Sequence, residues 1–221
     1  MAQQTKTKEK SVHVVLIGLP KTGKTALASQ FCNREVPTEY IPTAQNTAMD
    51  TTLQVGKNTY RFIFDDCSGD YLLNSRTTAN SILSKGKIHI FVISPTESDS
   101  AEYIQGFFKE TGKESDPIYR FVYSTHADCP DEDGIVQACK EFIPDDCKLF
   151  EYDVFKQKDQ IISNFTDFVK RAVVEHPELF EGCSATGEKK KKAETKEEPK
   201  EKKGEKEKKG DGEKKGKCQI L

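Results

Sequence analysis

Apolar residues in this chain fall into short continuous runs that are separated by longer and mostly polar stretches. The two clearest runs are Val12–Ile17 and Ile88–Ile93, and such runs are typical of strands that are buried on both faces of a sheet. Shorter runs predict four further strands at residues 51–55, 59–64, 119–123 and 148–152. A Gly-Lys-Asn turn joins the first two of these, which predicts a hairpin and one antiparallel edge strand.

Stretches compatible with helices lie between and after the apolar runs, at residues 25–31, 75–84, 101–111, 133–142 and 160–175. Strands that alternate with helices and are apolar on both faces favour a mainly parallel sheet that is covered by helices. We therefore expect an α/β fold, with a mostly parallel central sheet, one antiparallel edge strand and helices on both faces.

The turn after the first predicted strand, Gly18-Leu19-Pro20-Lys21-Thr22-Gly23-Lys24-Thr25, fits the phosphate-binding pattern GxxxxGK[ST]. Glycines allow a tight turn whose N–H groups face phosphate oxygens, while Lys24 supplies charge and the Thr25 hydroxyl is a Mg²⁺ ligand. The sequence therefore predicts a P-loop NTPase that binds a nucleoside triphosphate with Mg²⁺. In this loop the expected nucleotide-binding residues are Gly18, Pro20, Lys21, Thr22, Gly23, Lys24, Thr25 and Ala26.

Two later segments resemble motifs of small GTPases of the Ras superfamily, in the family's order. Glu39-Tyr40-Ile41-Pro42-Thr43 is similar to the effector loop, closest to that of the Rho branch, and Asp66-Cys67-Ser68-Gly69 is similar to the DxxG motif. The resemblance implies that Tyr40 covers the phosphates, that Thr43 is a second Mg²⁺ ligand, and that Asp66 holds the metal through water. It also implies that the Gly69 N–H contacts the γ-phosphate. Effectors and exchange factors are then expected at residues 39–43 and 66–74.

The resemblance also places a guanine site after two later strands. Asp128 stands where the family's NKxD motif has the carboxylate that selects guanine, within Thr125-His126-Ala127-Asp128. Either His126 stacks on the base or it is only solvated. Asp153-Val154-Phe155 stands at the SAK position, so Val154 and Phe155 are expected near the base, although Phe155 could instead belong to the core. GTP and GDP are therefore the expected ligands.

Several residues depart from the family pattern. Asp70 stands where the family has the Gln that orients the attacking water, and Pro20 replaces a usual Gly and removes one loop N–H. Val36 stands where a Phe usually contacts the base. We therefore expect slow GTP hydrolysis, with Lys24, Thr43, Gly69 and Asp70 as catalytic candidates, and weaker nucleotide binding than is usual. Two functions stay open: a GTP/GDP switch, or a pseudo-GTPase scaffold that binds nucleotide without cycling.

The C-terminal part of the chain differs from the rest in composition. Residues 188–217 contain fourteen lysines and nine acidic residues and almost nothing apolar, which predicts a disordered linker. The chain ends in Cys218-Gln219-Ile220-Leu221, a CaaX pattern for prenylation of Cys218 by a prenyltransferase. The expected division is a flexible N-terminus, a GTPase domain, a linker and a CaaX motif at residues 1–10, 11–180, 181–217 and 218–221.

A prenyl chain with nearby lysines is expected to hold the protein on the cytoplasmic leaflet of a membrane, most simply the plasma membrane. The lysine-rich segment could equally be a solvated spacer. The chain carries a net charge of −2, and without the +5 of residues 188–217 the remainder carries −7, which disfavours nucleic acid as a partner. Seven cysteines without a CxxC pair favour reduced thiols over a metal cluster.

Overall fold

The computed structural model describes residues 11–111 and 118–183. Six strands form one sheet with the spatial order β2-β3-β1-β4-β5-β6. Their bounds are β1 Val12–Ile17, β2 Thr47–Val55, β3 Asn58–Asp66, β4 Ile88–Ile93, β5 Tyr119–Ser124 and β6 Lys148–Glu151. Only β2 runs antiparallel to its neighbour, since the other four pairings are parallel. The predicted fold class is confirmed.

Six α-helices surround the sheet within the described residues: α1 Lys24–Phe31, α2 Gly69–Asn74, α3 Arg76–Leu83, α4 Ser100–Glu110, α5 Ile135–Phe142 and α6 Lys158–Glu175. A 3₁₀ turn, Pro177–Phe180, follows the last helix. The predicted helix at 75–84 corresponds to α3, whereas the sequence pattern did not predict the short α2 before it. No helix of the described part is both long and apolar enough to cross a membrane.

The sheet separates two apolar cores, because successive residues of a buried strand face opposite sides. Val14 and Leu16 of β1 point to the core beneath α1 and α6, where Phe31 and Phe165 lie with ring centroids 4.6 Å apart. Val15 belongs to the opposite core, beneath α3, α4 and α5. Burial on both faces explains why the central strands read as continuous apolar runs.

Strand β2 begins four residues before the sequence pattern indicates. Residues 47–50 contain two polar side chains and no continuous apolar run, but they pair with the end of β3, where Met49 lies opposite Phe64 and is buried. An edge strand exposes one face, so it lacks the apolar run that predicts a central strand.

The described part of the chain ends at Cys183, whose side chain is buried in the core beneath α1 and α6. The predicted segments 1–10 and 218–221, and all of the linker after Cys183, lie outside the described residues.

His89 makes folding stability depend on pH. Its side chain is completely buried in β4, Nε2 lies 3.1 Å from the Leu83 carbonyl oxygen, and burial lowers its pKa to about 4. The folded state therefore holds His89 neutral, whereas the unfolded chain binds a proton near pH 6.5. Stability is fully present above pH 6.5 and falls as pH drops toward 4. Urea unfolding should show a loss of about 2 kcal/mol between pH 7 and 5 from this residue.

The variant His89→Gln removes the titrating group and keeps an amide that can donate to the Leu83 carbonyl. Its unfolding free energy should fall less between pH 7 and 5 than that of the wild type. His13→Gln is the matched control, because His13 is partly exposed, beside Asp65. Equal pH slopes for the wild type and His89→Gln would contradict the assignment.

Candidate functional site

The loop between β1 and α1 lies at the carboxyl end of the sheet and is shaped by close backbone packing. A Cβ on Gly18 would lie 2.3 Å from the Val92 carbonyl oxygen, so only glycine fits there. Lys21 and Gly23 adopt positive φ angles of 64° and 82°. Gly23 is the N-cap of α1, so the loop joins a strand to the amino end of a helix, where backbone N–H groups are unpaired and attract anions.

Lys24 lies buried under this loop. Its Nζ donates to the carbonyl oxygens of Gly18 and Leu19, at 2.9 and 2.6 Å. Burial lowers the pKa of Lys24 to about 8, although the nearby Asp66 carboxylate favours the charged form. An ammonium group removed from water in this way interacts strongly with any anion that enters the loop.

Three oxygen-bearing side chains converge beside the loop. Thr25 Oγ1 donates to Asp66 Oδ2 at 2.7 Å and lies 3.3 Å from Thr43 Oγ1. Asp66 is completely buried, and its Oδ1 has no hydrogen-bond partner among the described residues. Burial raises its pKa, while the hydrogen bond from Thr25 opposes that effect. Hydroxyl and carboxylate oxygens are hard ligands that suit Mg²⁺, so these residues fit the metal that the sequence predicts.

Gly69 lies directly against the phosphate loop. A Cβ there would be 2.7 Å from both the Gly18 carbonyl oxygen and Pro20 Cδ. The next residue, Asp70, is exposed and lines the same cleft as Pro20. Pro20 and Asp70, two of the residues that depart from the family pattern, therefore line the same cleft.

These elements border a cleft of about 760 Å³, a size typical of ligand sites. Tyr40 and Ile41 form part of its wall and are 54% and 73% exposed. The Lys21 Nζ lies 6.0 Å from the centre of the Tyr40 ring. Of the predicted site residues, the cleft is lined by Pro20, Lys21, Gly23, Lys24, Thr25, Ala26, Tyr40, Thr43, Asp66, Gly69, Asp70, His126 and Phe155.

Thr125 supports the site from below. It is buried, and its Oγ1 donates to the Thr22 carbonyl oxygen at 2.7 Å, which joins the loop after β5 to the phosphate loop. Its side chain also packs on Gly23, where an added Cβ would lie 3.1 Å away. A threonine therefore supplies a brace between the two loops.

His126 is held in place rather than only solvated. It adopts a positive φ of 55°, and its Nδ1 lies 2.9 Å from Ser94 Oγ and 3.0 Å from Thr125 Oγ1. The neighbouring Thr96 and Glu97 also line the cleft. The sequence reasoning missed these residues after β4, although the carboxyl end of a strand beside β1 is where ligands bind in parallel sheets.

The residues at the SAK position have two different surroundings: one lines the cleft and another is buried beside it. Phe155 is 59% exposed and lines the cleft, so it does not belong to the core. Val154 is buried, and its carbonyl accepts a hydrogen bond from Gln30 Nε2 at 2.6 Å. Asp128 is half exposed outside the cleft lining, and its Oδ2 lies 3.6 Å from Lys156 Nζ. The same ammonium lies 2.5 Å from Asp153 Oδ2.

Comparison with known proteins identifies the family. A model of the Ras family matches residues 13–173, which is most of the chain and all six strands apart from the first residue of β1. No curated protein matches the sequence significantly. The strand order, the phosphate loop and the position of the cleft agree with the family match. This chain belongs to the Ras family of small GTP-binding switch proteins.

Proposed function

We propose that this Ras-family protein is a membrane-tethered switch that binds GTP and GDP with Mg²⁺ and hydrolyses GTP slowly. The observation that carries the proposal is the convergence of Thr25, Thr43 and Asp66 beside the buried Lys24. These four side chains come from α1, the segment before β2 and the end of β3, which are far apart in the sequence. Their meeting at the phosphate loop supplies both a cation and a set of metal ligands.

The phosphates would enter over the amino end of α1. Lys24 would exchange its contacts with the Gly18 and Leu19 carbonyls for contacts with phosphate oxygens, while loop N–H groups bind the remaining oxygens. When bound, Mg²⁺ would neutralise charge on the β- and γ-phosphates. Tyr40 lines the cleft and would cover the phosphates from the exposed side. The Thr43 hydroxyl ties the Tyr40 segment to the ligand set, so nucleotide would order that segment for an effector.

The experiment is a calorimetric titration of purified protein with GTP, GDP and ATP, with and without Mg²⁺. We expect GTP and GDP to bind, with affinity that falls at least tenfold when EDTA removes Mg²⁺. Single-turnover phosphate release then measures hydrolysis, which should be slower than in ordinary Ras proteins. Failure of GTP and GDP to bind would refute the proposal, and fast phosphate release would refute slow hydrolysis.

Guanine preference should rest on Asp128. Its carboxylate would accept hydrogen bonds from guanine N1 and N2, which adenine does not offer. A hydrogen bond to a charged group contributes about 1.5–3 kcal/mol, so Asp128→Asn should lower the preference for GDP over ADP by at least about tenfold. The measurement is the ratio of the two dissociation constants. Asp133→Asn, an exposed carboxylate in the following loop, is the control and should leave the ratio unchanged.

The tail supports the membrane part of the proposal. A prenyl group on Cys218 would give marginal membrane binding by itself, and the lysines of residues 188–217 would add attraction to anionic lipids of the cytoplasmic leaflet. Prenyltransferase is therefore a proposed partner, and the plasma membrane is the proposed location. Cys218→Ser should move the full-length protein from the membrane fraction to the supernatant in a cell extract. Equal distribution of both forms would contradict lipid anchoring.

A second candidate is a pseudo-GTPase scaffold that binds nucleotide without cycling. The ion pair of Asp128 with Lys156 favours it, because this carboxylate lies outside the cleft lining and is engaged by a cation of the protein. Nucleotide extracted from the purified protein separates the two functions. A switch that cycles slowly carries GDP together with GTP, whereas a scaffold carries unhydrolysed triphosphate alone or no nucleotide.

A further inference from the structure

Gly69, the glycine of the DxxG segment, is held from three directions. Its Cα packs so closely on the phosphate loop that a Cβ would lie 2.7 Å from Pro20 Cδ. The preceding N–H, of Ser68, donates to Asn46 Oδ1 at 3.1 Å. The carbonyl oxygen of Gly69 accepts a hydrogen bond from the Tyr103 hydroxyl at 2.9 Å. This hydrogen bond joins α4, which carries Tyr103, to the first residue of α2.

Tyr103 is well placed to act as a fixed support. It lies on α4, and its ring packs on Phe107 with a centroid distance of 5.2 Å. Burial raises the pKa of Tyr103, so the hydroxyl stays protonated and remains a donor. The helix is anchored in the core through Ile104 and Phe108. The hydroxyl therefore holds the Gly69 carbonyl from a rigid element that is not part of the nucleotide cleft.

We propose that Tyr103 is a positioning residue for the terminal phosphate, through the hydrogen bond that fixes Gly69 against the phosphate loop. This inference rests on the proposed function, in which the Gly69 N–H contacts the γ-phosphate. A carbonyl oxygen held toward α4 limits rotation about the Cα–C bond of Gly69, while packing on Pro20 limits displacement of its Cα. A glycine without these restraints samples many backbone conformations, and ordering it would oppose phosphate binding.

The inference predicts an effect that depends on the ligand. A triphosphate reaches the Gly69 N–H, whereas a diphosphate ends one phosphate earlier and does not. Loss of the Tyr103 hydroxyl should therefore weaken binding of GTP and leave GDP binding nearly unchanged. A residue that only stabilises the fold would weaken both ligands together or lower the melting temperature without changing their ratio.

The test compares full-length wild type and Tyr103→Phe by calorimetry with GDP and with a non-hydrolysable GTP analogue, both in Mg²⁺. Phenylalanine retains the ring that packs on Phe107. We expect about tenfold weaker binding of the triphosphate analogue and less than a twofold change for GDP. Tyr119→Phe is the matched control, because it also removes a hydrogen-bonded hydroxyl, the one that donates to Glu175 outside the cleft. It should leave both affinities unchanged.

A second variant guards against an effect on folding alone. Gly69→Ala forces the backbone away from Pro20, so it should produce the same selective loss of triphosphate binding. The double variant should then lose little more than Gly69→Ala, because both changes release the same backbone. Equal losses for GDP and the analogue, no loss in Tyr103→Phe, or fully additive losses would each overturn the inference. Failure of the wild type to bind GDP would instead refute the proposed function.

Discussion

Lys24→Ala is expected to weaken binding of GDP and GTP by at least about a hundredfold. The ammonium group is buried beneath the phosphate loop, with Nζ within 2.9 Å of the carbonyl oxygens of both Gly18 and Leu19. Charge-assisted contacts to phosphate in a site removed from water are roughly twice as strong as neutral hydrogen bonds. Alanine removes the cation and leaves those two carbonyls facing the phosphates. Calorimetric titration with GDP in Mg²⁺ measures the loss.

Lys21→Ala is a matched control within the same loop. Lys21 is exposed, and its ammonium lies 6.0 Å from the centre of the Tyr40 ring, so its charge is largely screened by water. It should change GDP affinity by no more than a few-fold. Similar affinities for the two variants would contradict the assignment of Lys24 as the phosphate-binding lysine.

Local patterns in the sequence predicted the central strands and the phosphate loop, because both are determined by residues that are close together in the chain. The apolar runs predicted the first and last residues of β1 and β4 correctly. Both faces of these strands are buried, so the strands need no alternation of polar and apolar residues. The phosphate loop was also predictable, because its turn, lysine and hydroxyl lie within eight consecutive residues. The early part of β2 was not, since Thr47 and its neighbours pair at an exposed edge.

Contacts between distant residues were beyond the sequence pattern. Nothing local to Thr125 indicates that its hydroxyl reaches the Thr22 carbonyl, and nothing local to Tyr103 indicates a bond to Gly69. Both depend on how loops and helices converge at one end of the sheet. The sequence left open whether His126 is only solvated, whereas the structure gives both Thr125 and His126 defined partners. Substituted motif residues can therefore keep a supporting role through different hydrogen bonds.

Replacing Asp70 with Gln and Pro20 with Gly is expected to raise the rate of GTP hydrolysis by about ten- to a hundredfold. Asp70 is exposed on the cleft wall, and a carboxylate there would repel the γ-phosphate, whereas an amide can both donate to and accept from the attacking water. Pro20 packs on Gly69 and lacks an N–H, so glycine there adds a donor and makes room for water. Single-turnover release of phosphate measures the rate.

Asp70→Ala separates the two effects of the carboxylate. It removes the negative charge without supplying a group that orients water, so it should recover only a small part of the increase. The single variant Asp70→Gln is measured beside it, and if Asp70→Ala were as fast as Asp70→Gln, charge repulsion alone would explain the proposed slow rate. If the double variant stayed as slow as the wild type while binding GTP equally well, the proposed cause of slow hydrolysis would be wrong. The pseudo-GTPase alternative would then gain support, because the defect would lie elsewhere in the site.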